Sequence, residues 1–202
     1  MEAAVASLQA GRPVVLPMDT VYGLCASPYR EDAARRVYAL KRRPETQPTA
    51  LVCSDLEMLF ECLPELRGRS GIIARALLPG PYTLVFPNPG HRYRWVTGAS
   101  SDKIGVRVPE LEGPVAEVLR QVGAVVATSA NLAGGPEPRR PEDVPEEIRA
   151  GVAAFIDGGE LPGVPSTIVD VTGPEPNVLR EGAVPAPEAL DHIARALSPA
   201  QR

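Results

Sequence analysis

The sequence predicts an α/β fold built on a mixed β-sheet, and three observations predict it. Short apolar runs alternate with helical periods along the whole length. Several intervals between runs leave room for crossover helices, while others are short enough only for antiparallel pairs. Finally, 202 residues with 44% apolar content suffice for one core without disulfides or a structural metal, so one domain over 1–202 is expected.

Taken in order, Glu2 to Ala10 reads as a helix that Gly11 stops. Pro13 to Pro17 is a buried strand feeding the polar turn Met18-Asp19-Thr20, where Gly23 is expected to supply an unusual backbone angle. Glu31 to Arg42 is helical, with Ala34, Val37, Tyr38 and Lys41 on one face, and Pro44 ends it. Leu51 to Cys53 is a strand, and Ser54-x-x-Glu57 has the form of a capping box opening the next helix, which runs through Phe60. Further strands fit Tyr82 to Phe86, Ile104 to Val108, Ala124 to Thr128, Ala153 to Ile156, Thr167 to Val171 and Val178 to Leu179. Helices fit Ile72 to Leu78, Pro114 to Val122 with Gly123 as its stop, Pro145 to Ala150, and Pro187 to Leu197. Pro87 to Ser101 and Ala133 to Pro145 lack a period and read as mobile surface loops.

Composition narrows the function. The 23 Pro and 18 Gly are dispersed, which excludes collagen-like and low-complexity chains. A net charge of −4 argues against a general nucleic-acid or anionic-membrane binder but leaves room for a local basic cleft. Cys25, Cys53 and Cys62 form no Cys-x-x-Cys pair and are odd in number, so reduced, core-packing thiols in a cytoplasmic protein are expected. No apolar run approaches a membrane span and no signal-peptide pattern opens the chain, so the expected protein is soluble and makes no membrane contact.

Neither the Walker-type phosphate loop nor the Gly-x-Gly-x-x-Gly fingerprint is present. His91 and His192 are too few for a zinc set or a Ser-His-Asp triad, and both read as surface residues. Chemistry instead gathers at the ends of strands. Lys41-x-Arg43-Pro44 closes a helix, where cations complement the dipole. Yet 19 of the 21 basic residues are Arg, and a compact ammonium at Lys41 also suits a phosphate or carboxylate contact. Thr128-Ser129-Ala130-Asn131 follows a strand and can either cap a helix or bind phosphate oxygens. Asp19-Thr20, Ser166-Thr167 and Arg180-Glu181-Gly182 stand at other strand ends. Together they describe a cleft for an anionic small molecule.

Seven segments then carry a resemblance over nearly the full length. They are Asp19-Thr20-Val21-Tyr22-Gly23-Leu24, Lys41-Arg42-Arg43-Pro44, Leu78 to Leu84, Gly105 to Pro109, Ser129-Ala130-Asn131, Ser166 to Asp170 and Val178 to Gly182. In this order and spacing the chain resembles the YrdC/TsaC family, the threonylcarbamoyl-AMP synthases. The resemblance implies a twisted, open mixed sheet with flanking helices around a concave basic cleft. It implies condensation of L-threonine, bicarbonate and ATP, with Mg2+ accompanying ATP, to threonylcarbamoyl-AMP and pyrophosphate. Downstream threonylcarbamoyl-transferase proteins would carry the group to tRNA, with RNA binding a further possibility. Thr20, Arg107, the backbone near Ala127 and Ser166 would hold threonine. Lys41, Arg43, Ser129, Asn131 and Arg180 would hold ATP, with Lys41 and Arg43 acting in catalysis and no protein metal site. Lys103 lies near a position that contributes to the family's nucleotide pocket. Two departures stand out: Val52 replaces a histidine of the family pattern, and Thr49 to Leu56, with Tyr82, looks more like the YciO branch. That branch implies the alternative, a nucleotide- or RNA-binding paralogue without synthase activity.

Overall fold

A computed structural model describes residues 1–198; residues 199–202, the end of the expected 1–202 domain, lie outside the described residues. The chain runs through α1 (Glu2–Gln9), β1 (Val14–Pro17), β2 (Tyr22–Ala26), α2 (Glu31–Lys41), β3 (Ala50–Cys53), α3 (Leu56–Cys62) and α4 (Gly68–Leu77). It continues through β4 (Tyr82–Pro87), β5 (Lys103–Arg107), α5 (Gly113–Val122), β6 (Ala124–Ser129), α6 (Glu146–Gly151), β7 (Ala154–Phe155), β8 (Thr167–Asp170), β9 (Asn177–Arg180) and α7 (Ala186–Leu197). The strands form one nine-stranded sheet in the order β7-β1-β2-β6-β3-β5-β4-β8-β9. Pairs β1/β7, β3/β5 and β4/β8 are parallel and the others antiparallel, the mixed sheet that the spacing predicts.

Side-chain alternation along the strands divides the molecule. Val15, Leu51, Cys53, Val126, Ile104, Val106 and Val169 point to the larger core, packed under α2, α3, α4 and α7. Val14, Leu16, Cys25, Val52, Val125 and Ala127 point the other way, where α1 and α5 cover them with Val5, Leu8, Val115 and Leu119. Farther along the sheet that second face opens into a cavity. There the alternate residues Lys103, Gly105 and Arg107 of β5 and Ile168 and Asp170 of β8 form part of the wall.

Four local expectations need correction. Gly23 lies in β2, a strand the turn-like sequence conceals, and its φ is not positive. What favours glycine there is close packing, since a Cβ would meet the Met18 side chain at 3.0 Å and that side chain would have to give way slightly. The cap of α3 is Asp55, whose carboxylate accepts from the Met58 N–H at 2.8 Å, so the Ser54 box does not form. Helix α2 ends at Lys41 because Arg42 adopts a left-handed conformation (φ 53°), before Pro44 can act. Pro87 to Ser101 is not a loose surface loop. Asn88, Val96 and Thr97 are buried, and the Asn88 amide donates to the carbonyls of Arg92 and Ser101. The three cysteines are free and buried. Among the described residues, no helix is long and apolar enough to cross a membrane.

Candidate active site

A cavity of about 730 Å³ occupies the open part of the second sheet face. All nine residues singled out from the sequence line it: Thr20, Lys41, Arg43, Arg107, Ala127, Ser129, Asn131, Ser166 and Arg180. They arrive from the ends of β1, α2, β5, β6, β8 and β9. Topology alone brings them together, because β6 and β3 are paired while α2 and the following loop connect β2 to β3.

Lys41 is 4% exposed, the last residue of α2. Its Nζ donates toward the Ser129 carbonyl (2.7 Å) and Oγ (3.1 Å) and the Asn131 carbonyl (3.1 Å) and Oδ1 (2.6 Å). Four acceptors thus surround three protons, and the ammonium shapes the turn after β6. Ser129 Oγ donates to Asn131 Oδ1, and the Asn131 amide donates to the Gly135 carbonyl at 2.6 Å, extending the network into the next loop. Burial pushes Lys41 down to about 8, with Glu137 opposing the shift and Arg43 adding to it. Arg43 reaches across to Thr128 Oγ1 (3.3 Å) and the Pro48 carbonyl (2.6 Å), leaving its buried Nε without a partner.

A second group centres on Arg107. Its guanidinium donates to Asp19 Oδ1 at 2.6 Å and lies 3.5 Å from Thr20 Oγ1. Burial raises the Asp19 carboxyl above its ordinary value, and Arg107 opposes that shift. Asp19 Oδ2 and Arg107 Nε are both buried without partners. Ser166 ties β4 to β9: its Oγ bonds Thr83 Oγ1 at 2.8 Å, and its carbonyl accepts from Arg180 at 2.8 Å. Gly182 permits that contact, since a Cβ would fall 2.1 Å from the Pro165 carbonyl. Burial lowers the Arg180 pKa and Glu137 opposes the shift.

The sequence reading did not single out Glu137, Thr83 or Asp170. Thr83 and Asp170 sit on cavity-facing strand positions, and Asp170 pairs with Lys103 at 2.8 Å. Strand alternation could have found them. Glu137 lies in the turn-rich stretch after Asn131, where no local pattern shows which way a side chain points. Val52 lines the cavity as part of an apolar patch with Val125 and Ala127. His91 and His192 do not line it; the His192 ring instead bonds the Tyr82 hydroxyl at 2.9 Å. Among the described residues, no histidine or cysteine lines the wall. It offers five cations, Lys41, Arg43, Lys103, Arg107 and Arg180, among hydroxyls and amides. Such a surface stabilises negative charge and positions anionic ligands.

A family model named for Sua5, YciO and YrdC, with the description "Telomere recombination", matches residues 6–182. The chain belongs to the Sua5/YciO/YrdC family. Within this family, a threonylcarbamoyl-AMP synthase of Pyrococcus abyssi is 33% identical over 186 residues, covering 92% of this chain. The chain spans only 54% of that relative's length. The crystal structure of P. abyssi Sua5 complexed with L-threonine superposes with a TM-score of 0.83 at 32% identity, covering 96% of this chain and 56% of the other. The crystal structure of E. coli YciO gives a TM-score of 0.79 at 26% identity, covering 93% and 90%. The Sua5/YciO/YrdC fold is thus the twisted mixed sheet that the resemblance implies.

Proposed function

We propose that the chain is a threonylcarbamoyl-AMP synthase. The observation that carries this reading is the meeting, on one cavity wall, of the Lys41–Ser129–Asn131 network with Thr20 and Arg107, the latter held by Asp19, and with the Ser166–Arg180 pair. It is supported by the synthase name of the P. abyssi relative and by the threonine complex of P. abyssi Sua5. In this reading Arg107 receives the threonine carboxylate, while Thr20, Ser166 and the backbone at Ala127 fix the rest of the amino acid. Lys41, Arg43, Ser129, Asn131 and Arg180 surround the ATP phosphates.

The threonine amine adds to bicarbonate with loss of water to give a carbamate. A carbamate oxygen then attacks the α-phosphorus, the bond to the β-phosphate oxygen breaks, and pyrophosphate leaves. Lys41, Arg43 and Arg180 stabilise the charge on the phosphoryl oxygens and the departing pyrophosphate. The threonylcarbamoyl-AMP so formed supplies downstream transferase proteins that modify tRNA. Mg2+ enters as part of the nucleotide substrate, screening the phosphates. The Glu137 carboxylate, with a buried and unpartnered Oε2, fits such a cation. The test is pyrophosphate release from ATP by the purified chain. Release that requires both threonine and bicarbonate is expected; nucleotide binding that neither changes, without release, would instead match a YciO-like binding protein.

A further inference from the structure

Glu137 sits in the loop after Asn131 and lines the cavity, and its Oε2 is buried without any hydrogen-bond donor. A carboxylate oxygen removed from water and left unpartnered is costly, and native proteins seldom keep one without use. Its surroundings sharpen the question. The charge of Glu137 is felt at both Lys41 and Arg180, two of the cations proposed to hold phosphates. A polyphosphate bound among those cations would lie close to a like-charged carboxylate, which repels it unless a cation stands between them.

The charges of the wall point the same way. Asp19 neutralises Arg107, and Asp170 neutralises Lys103. Asp170 is further engaged by the Thr172 N–H and hydroxyl. Lys41, Arg43 and Arg180 have no carboxylate within salt-bridge distance among the described residues, and Glu137 is the remaining acid of the wall. Counting Asp19, which pairs with Arg107 although it does not itself line the cavity, the balance is a net two positive charges. That matches the roughly two negative charges of a magnesium–triphosphate complex and not the roughly four of the bare nucleotide. Among the described residues, no group of three or more His, Cys, Asp or Glu could hold a metal ion. A cation here would therefore be held by phosphates, water and one carboxylate, the usual arrangement for Mg2+ at nucleotide sites.

We infer that the Glu137 carboxylate is the protein's contact to the divalent cation that arrives with the nucleoside triphosphate, making the cavity selective for the metal-loaded nucleotide. This rests on the proposed nucleotide site and adds to it a residue and a selectivity. Glu137 acts here as a positioning residue, since the phosphates carry the chemistry.

Calorimetric titration of a non-hydrolysable ATP analogue, with Mg2+ or with EDTA, tests it on the wild type, Glu137→Gln and Glu137→Ala. The side chain lies in a loop and makes no hydrogen bond through Oε2, so matching circular-dichroism melts are expected for all three. The wild type should prefer the Mg2+ complex by about 10-fold or more, and both variants should lose most of that preference, with EDTA-form affinity unchanged or tighter. Mn2+ in place of Mg2+ should give a relaxation enhancement with the analogue and wild type that falls in Glu137→Gln. An undiminished Mg2+ preference in both variants overturns the inference while leaving the nucleotide site standing. Absence of analogue binding by the wild type under either condition overturns the nucleotide reading itself.

Discussion

Lys41 and Arg107 are both cations of the same cavity wall, and they spend their hydrogen-bonding capacity in different ways. Lys41 is saturated: its three protons meet four oxygens of Ser129 and Asn131, so it builds the turn that presents those side chains. Arg107 is underused: Asp19 takes one nitrogen, and Nε remains buried without a partner, as does Asp19 Oδ2. A saturated cation contributes its field and its scaffold, and an unsaturated one keeps donors for a ligand. Under the proposed function this difference divides the wall into a phosphate side built around the saturated Lys41, on which Arg43 keeps one unpartnered Nε, and an amino-acid side around Arg107.

The largest expected effect comes from the saturated side. Lys41→Ala leaves four oxygens without their donor, and should reduce pyrophosphate release by on the order of 1,000-fold and cost about 2–4 kcal/mol in urea unfolding. A variant with near wild-type rates would erase the division. The same lysine sets a pH dependence. Burial holds its folded pKa at about 8, below the ordinary 10.5. Nucleotide affinity should therefore fall as pH rises through about 8 and the ammonium is lost. Stability moves the opposite way for this group. Between about 8 and 10.5 the unfolded chain holds the proton that the folded chain has released, so the burial penalty, complete below about 8, is relieved as pH rises. Lys41→Met should lack both trends, which paired binding and denaturation profiles would reveal.

Arg180→Ala comes next. It removes the guanidinium that bridges β9 to the Ser166 carbonyl, and an about 100-fold loss of turnover is expected with little change in melting temperature. Asp19→Asn attacks the other side: Arg107 loses its charged anchor, so threonine KM should rise about 10-fold while nucleotide affinity is preserved. Equal damage to both substrates would break the comparison.

How much of this the sequence discloses depends on the range of the interaction. Periodicity suffices for the apolar faces of α2 and β6, and for α5 the Gly123 stop is legible as well, since these are local features, whereas the left-handed Arg42 that ends α2 carries no local signal. Local features also fail at β2, because Asp19 to Gly23 carries turn-type residues and its strand character comes from pairing with β1 on one side and β6 on the other. Within the site, Lys41, Ser129 and Asn131 stand in short motifs and are legible. That Lys41 bonds those very residues, nearly ninety positions away, is set by the sheet order. The Asp19–Arg107 pair and the orientation of Glu137 likewise depend on packing between distant segments. Val52 was legible as a departure, and the fold adds that it packs with Val125 and Ala127.

That apolar patch makes Val52→His the mildest test. An imidazole there should lower the threonine dissociation constant by about 3-fold through one added hydrogen bond, at about 1–2 kcal/mol of stability for burying a polar ring. An unchanged constant would place threonine away from β3.

The most direct measurement of the central claim is the fate of labelled bicarbonate. The chain is incubated with ATP, Mg2+, L-threonine and 13C-bicarbonate, and the nucleotide products are resolved by mass spectrometry. Incorporation of the labelled carbon into a threonine–AMP adduct, formed together with pyrophosphate and absent without threonine, is the result this account predicts. Intact ATP with no labelled adduct, from protein that still binds the nucleotide, would contradict it.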